Sequence, residues 1–150
     1  MSIIQNKINF LDKNRDKEKY WNITYTQGVF ISNLVAIKKP KYILEIGTSN
    51  AFSTLFLLKE ISDDSLLYTI EVNEARYNEA KNNLRGIDNV VCLLGEVFEI
   101  LETYDFEIQF DFIFIDAAQK FYKNLIEIME KKNLIAKNAI IVADNVLSHN

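Results

Sequence analysis

From Tyr42 onward the chain carries five short apolar runs: Tyr42–Ile46, Leu66–Ile70, Val90–Leu94, Phe110–Ile115 and Ala139–Ala143. They are rich in β-branched or aromatic residues and lack strict alternation, as strands buried on both faces of a parallel sheet do. A helix-like segment follows Ser53, and two more lie between later runs. Glu74–Arg85 puts Tyr77, Ala80, Lys81 and Leu84 on one side and is followed by Gly86, a helix-stopping residue. Phe121–Lys132 groups Leu125, Ile128 and Met129 at helical spacing. Ahead of the strands, Ile3–Tyr20 alternates apolar and charged residues like an amphipathic helix. Thr24 and Gln27 have capping-box spacing and open a second helix that runs to about Ile37, before Pro40 ends it. Strands alternating with helices predict one α/β domain over residues 1–150, a Rossmann-like doubly wound parallel sheet of about five strands, with 1–38 as an N-terminal helical segment.

Composition narrows the class. The chain has 150 residues, 49% of them hydrophobic and 25% charged, which fits a soluble globular domain. Four glycines and one proline leave few breaks. Cys92 is the sole cysteine and sits in an apolar run, so it reads as a buried thiol. No secretory signal and no membrane-spanning run is evident, and the cytoplasm is the expected compartment. Net charge is −4, but residues 1–41 hold eight Lys/Arg against three acids, leaving −9 for the remainder. A basic front end could touch phosphate or an acidic surface, but a solvated helix face is the simpler account of it.

The chemistry lies at the ends of the apolar runs. The first ends at Glu45 and Gly47, the second at Glu71, the third at Gly95 and Glu96, the fourth at Asp116 and the fifth at Asp144 and Asn145. In a doubly wound sheet these ends share one rim, where ligands bind. The loop after the first run, Gly47-Thr48-Ser49-Asn50-Ala51, has one glycine where a diphosphate cradle wants three. It suits a nucleoside without a diphosphate, with an acid at the tip of the second strand for the ribose hydroxyls.

These segments resemble the class I S-adenosylmethionine-dependent O-methyltransferases, in the small bacterial and catechol-type, metal-dependent branch. LEIGTSNAFSTL looks like their first motif and TIEVNEARYNEAKNNL like their second; FIDAAQKFY and IIVADNVLSH look like their metal segment. The resemblance covers the chain from about Tyr25 onward. It implies that Glu45, Gly47, Thr48 and Ser53 line the methionine end of the cofactor, with Asp116 nearby. Glu71 would hold the ribose, and Gly95, Glu96 and Val97 would flank the adenine. Asp116, Asp144 and Asn145 would bind a divalent metal. Two carboxylates and an amide suit Mg²⁺, with Ca²⁺ or Mn²⁺ as alternatives, and disfavour Zn²⁺. Asp144 and Asn145 also suit an ordinary turn after a strand. The implied reaction moves a methyl group to a metal-chelated hydroxyl of a small, aromatic acceptor.

Three departures from the family's pattern matter. Ala51 stands where its second glycine is usual. Gln119 stands where a lysine often lies three residues after the first metal aspartate; Lys120, one position on, is turned by about 100° on a helix. Asp116 and Lys120 are therefore the candidate catalytic residues, and lone His149 needs no role. Family members normally continue through another helix and two more strands, so the resemblance implies a C-terminally truncated sheet. Its fifth strand would be an apolar edge: either the chain is a fragment, or a second copy covers the edge in a homodimer, or the fold is degenerate. Two other readings stand beside the small-molecule enzyme: a methyltransferase for a hydroxylated tRNA base, reached through Lys13, Arg15, Lys17 and Lys19, and a non-catalytic cofactor-binding remnant.

Overall fold

The computed structural model describes residues 2–16, 19–20 and 22–144. Its elements run α1 (Ile3–Lys13), α2 (Tyr25–Lys38), β1 (Tyr42–Ile46), α3 (Phe52–Leu58), β2 (Leu66–Glu71), α4 (Glu74–Asn83), β3 (Val90–Leu94), α5 (Val97–Thr103), β4 (Phe110–Ile115), a 3-10 turn (Gln119–Phe121), α6 (Tyr122–Lys131) and β5 (Ile135–Ala143). The five strands form one sheet in the order β3-β2-β1-β4-β5, every pair parallel. The order reverses between β1 and β4, which makes their carboxyl ends the switch point of the sheet.

Both faces of the sheet are covered, which is why the strands read as nearly continuous apolar runs. Ile43, Leu67, Phe112 and Phe114 pack with Ile8, Ile31, Val35, Leu55, Phe56 and Ala80 on the face of α1 to α4. Leu44, Ile46, Ile70, Ile113 and Ile115 pack with Leu101, Leu125 and Met129 on the face of α5 and α6. The capping box of α2 forms as its spacing predicts: Thr24 Oγ1 accepts from Gln27 N, and Gln27 Oε1 accepts from Thr24 N at 2.7 Å.

The structure redraws three boundaries. The helix expected over Ile3–Tyr20 stops at Lys13, because Asn14 caps it through both its main-chain N–H and its side-chain amide, each donating to Phe10 O. Residues Val97–Thr103, unassigned in the sequence pattern, form α5. The last strand starts at Ile135 rather than Ala139, with a register shift opposite Phe110 and Phe112 and Asn138 at φ 132°. Among the described residues β5 pairs only with β4, and Ile141 is 40% exposed on it.

Candidate functional site

The rim is built by what each strand does as it ends. After β1, Gly47 turns at φ 101°; a Cβ there would lie 2.3 Å from Asp116 O, so the loop passes hard against the end of β4. Gly47 N and Thr48 N both donate to Ile70 O, at 3.0 and 3.2 Å. Ser49 and Ala51 are also left-handed, at φ 51° and 72°, before α3 begins. The turn delivers Ser49 N to Glu71 Oε2 at 2.7 Å, and Asn73 N donates to Glu71 Oε1 at 2.9 Å. Glu71 is thus fixed by one main-chain amide on each oxygen, and each oxygen keeps capacity for another donor.

A cavity of about 730 Å³ opens at this rim, within the size range of small-ligand sites. Six of the residues expected at the cofactor lie on its wall: Gly47, Glu71, Gly95, Glu96, Val97 and Asp116. Glu45, Thr48 and Ser53 do not. They are buried behind the wall, where Glu45 accepts hydrogen bonds from Ser53 Oγ (2.5 Å), Thr54 Oγ1 (2.6 Å) and Thr69 Oγ1 (2.6 Å). Thr48 and Thr69 hydroxyls sit 2.5 Å apart, extending the network. Burial pushes the Glu45 carboxyl up to about 7, against the pull of its three hydroxyl donors, and the nearby Asp116 adds to the rise.

Sequence reasoning missed Ser49, Arg76 and Phe121, all on the cavity wall. Ser49 Oγ is buried with no hydrogen-bond partner among the described residues, a costly state unless a ligand supplies one. The Ser49 left-handed turn left a trace in the sequence, the polar Thr-Ser-Asn run after Gly47; Arg76 left none beyond its place one turn into α4.

Asp116 and Asp144 end adjacent parallel strands. Asp116 N donates to Ile46 O at 2.9 Å, and Asp144 N to Ile115 O at 3.0 Å. Burial first, and the Asp144 charge second, push the Asp116 carboxyl up to about 6. Two hard carboxylates on neighbouring tips suit a hard divalent cation. Among the described residues no group of three or more His, Cys, Asp or Glu is placed to hold a metal; Asn145 and His149 lie outside the described residues. Lys120 is exposed and absent from the cavity wall, its ammonium 4.9 Å from the centre of the Phe121 ring, while Gln119 lies on the wall. Gln119 and Lys120 are neighbours in the 3-10 turn, where successive side chains point about 120° apart. In the basic front end, Arg15 pairs with Asp12 at 3.0 Å and stacks 4.7 Å over Phe52, and Lys19 pairs with Glu79 at 3.2 Å. Lys17 lies outside the described residues.

A parallel α/β sheet with a glycine turn after β1, an anchored acid after β2 and a cavity at the switch point defines a nucleoside-binding domain of the doubly wound class. Within that class, the chain belongs to the O-methyltransferase family, whose model matches residues 5–150. It is 30% identical over 128 residues to a catechol O-methyltransferase of Mycobacterium tuberculosis, a match covering 83% of this chain and 57% of that protein. The chain therefore spans little more than half the length of that relative. An O-methyltransferase from Bacillus cereus, solved with SAH, superposes with a TM-score of 0.81 at 26% identity, over 95% of this chain and 66% of that one. An SAH-bound methyltransferase from Podospora anserina has a TM-score of 0.84 at 23% identity, over 97% and 62% of the two chains, a likeness of fold. Among the described residues no helix is long and apolar enough to cross a membrane.

Proposed function

We propose that this chain acts as an S-adenosylmethionine-dependent O-methyltransferase that binds its cofactor and a divalent metal and methylates a small hydroxylated, aromatic acceptor. The observation that carries the reading is Glu71: a strand-tip carboxylate on the cavity wall, fixed by two main-chain amides, beside a buried serine hydroxyl that lacks a partner. That pair matches the hydroxyl-rich ribose of an adenosyl group. The relatives solved with SAH have the same fold, which supports the same ligand class here.

When bound, S-adenosylmethionine supplies an electrophilic methyl group on a sulfonium centre. Glu71 accepts from the ribose hydroxyls, Ser49 Oγ offers a further donor, and Gly95, Glu96 and Val97 flank the adenine. Glu45, Thr48 and Ser53 act from behind the wall, stiffening the Gly47 loop rather than touching the ligand. Asp116 and Asp144, with Asn145, would hold a divalent cation, whose chemistry is to favour the ionised form of an acceptor hydroxyl. Lys120 is absent from the cavity wall, and no other lysine of the described residues lines it, so no ammonium group stands at Asp116 to exchange a proton with the acceptor. The chain otherwise contributes position and exclusion of water, effects worth about 7–11 kcal/mol where reacting groups are held in line. The paired states of Arg15 and Lys19 give the tRNA reading no support.

Titration calorimetry with S-adenosylmethionine tests this. Wild type should bind, and Glu71→Ala should lose about 1–3 kcal/mol of affinity, the worth of hydrogen bonds to a charged group. An unchanged dissociation constant removes Glu71 from the ligand. Methyl transfer to a catechol should require added Mg²⁺ and stop with chelator.

A further inference from the structure

Resting on the metal reading just given, we infer that Asp144 is held by a clamp closing from both faces of the sheet, with Gln27 of α2 and Tyr122 of α6 as positioning residues for the metal rim. Gln27 lies 117 positions from Asp144 in sequence, yet its Nε2 donates to Asp144 Oδ1 at 3.2 Å. The orientation of that amide is not ambiguous. Gln27 Oε1 accepts from Thr24 N at 2.7 Å and from Thr24 Oγ1 at 2.9 Å, and a main-chain N–H can only donate. The carbonyl side must face Thr24, so the NH₂ side faces Asp144. A glutamate serves a capping box as well as a glutamine does, but only the amide has a donor to give the aspartate.

From the opposite face, the Tyr122 hydroxyl donates to the main-chain oxygen of Asp144. Tyr122 packs with the α5–α6 core, whereas α2 packs with α3 on the other side of the sheet. Side chain and backbone of one residue are thereby fixed by separate helices. The need is physical: β5 has one neighbouring strand among the described residues, and its tip carries a carboxylate beside that of Asp116. Like charges on adjacent tips push apart; a neutral donor on Asp144 offsets that push and orients its carboxylate. Partners of this kind, one step behind a metal ligand, typically set metal affinity by about 10–100-fold.

The test is Mn²⁺ titration followed by electron paramagnetic resonance, with S-adenosylmethionine affinity and Tm measured on the same samples. Gln27→Ala and Tyr122→Phe should each weaken Mn²⁺ binding by about 10-fold or more and leave cofactor affinity unchanged. Thr24→Ala, which weakens the cap but keeps the Thr24 N–H, should lower Tm with Mn²⁺ affinity intact. If wild type binds Mn²⁺ and the clamp variants bind it equally, the clamp is wrong and the metal site stands. If Thr24→Ala loses Mn²⁺ affinity as much as Gln27→Ala does, the effect is helix capping and the clamp is again wrong. If wild type itself binds no Mn²⁺ at millimolar concentration, the metal reading falls and the clamp with it.

Discussion

Replacing Glu45 with glutamine separates what its carboxylate does by charge from what it does by shape. Glu45 is fully buried, and its carboxyl holds a proton up to about pH 7, against 4.5 for an ordinary glutamate. Folding therefore takes up a proton between those values. Below 4.5 the carboxyl is protonated in both states and its contribution to stability is fully present; as pH rises through about 7 that contribution is lost. The span of about 2.5 pH units, at about 1.4 kcal/mol each, is worth about 3 kcal/mol. Glutamine cannot ionise. Its NH₂ needs an acceptor where the carboxylate needed only donors, and the hydroxyls of Ser53, Thr54 and Thr69 can rotate to supply it. Thr69 has the Thr48 hydroxyl at 2.5 Å to take up the reversed bond.

The assay is urea unfolding of wild type and Glu45→Gln at half-unit steps from about pH 4.5 to about 7.5, with the difference in unfolding free energy plotted against pH. Groups that do not interact with Glu45 cancel in that difference; Asp116, which does, contributes through its coupling. The difference should move in favour of the variant by about 3 kcal/mol across the window. A flat difference would refute the reasoning, because it would mean that Glu45 is ionised alike in both states.

Two further outcomes follow from the loop after β1. Ser49→Ala removes a buried hydroxyl without a partner, so Tm should rise while affinity for S-adenosylmethionine falls, the hydroxyl being worth about 1–3 kcal/mol in each direction; thermal shift with and without cofactor reads both, and a fall in both would sink the assignment. Gly47→Ala places a methyl 2.3 Å from Asp116 O at φ 101°. It should cost at least about 3 kcal/mol of stability by urea unfolding, since backbone strain and a backbone clash add, and a variant as stable as wild type would mean the loop stands clear of β4.

The strands were legible because burial on both faces forces continuous apolar runs, and each run stops where a glycine or an acid begins the rim. Less legible were features whose cause is not periodic. Residues Asn14–Thr24 continue the mixed apolar and charged pattern of α1, but Asn14 satisfies the helix end and the chain leaves it; Lys19, Tyr20 and Asn22 then bond to Glu79 and Asn50. Helix α5 is seven residues long with no side-chain cap, too short to announce itself by spacing. Lys137 and Asn138 interrupt the apolar run of β5, which hid its first residues behind a register shift. In the site, depth along the strand decided what the sequence could not. Glu45 precedes the last residue of β1 and lies inside the sheet beside Thr69 and Phe114, whereas Glu71 ends β2 and clears it. Both read as acids at a strand tip; two positions of register separate a buried support from a wall residue.

The same topology makes Asp116 the junction of the rim. β4 lies between β1 and β5, so the residue after it meets the Gly47 loop on one side and Asp144 on the other. Its charge raises the Glu45 carboxyl, and the charge of Asp144 raises its own. These two couplings run in series. A cation held between Asp116 and Asp144 would favour the ionised form of Asp116, and an ionised Asp116 favours the protonated form of Glu45. The hydroxyl network around Glu45 and the tip of β5 are thereby linked electrostatically through one carboxylate, Asp116.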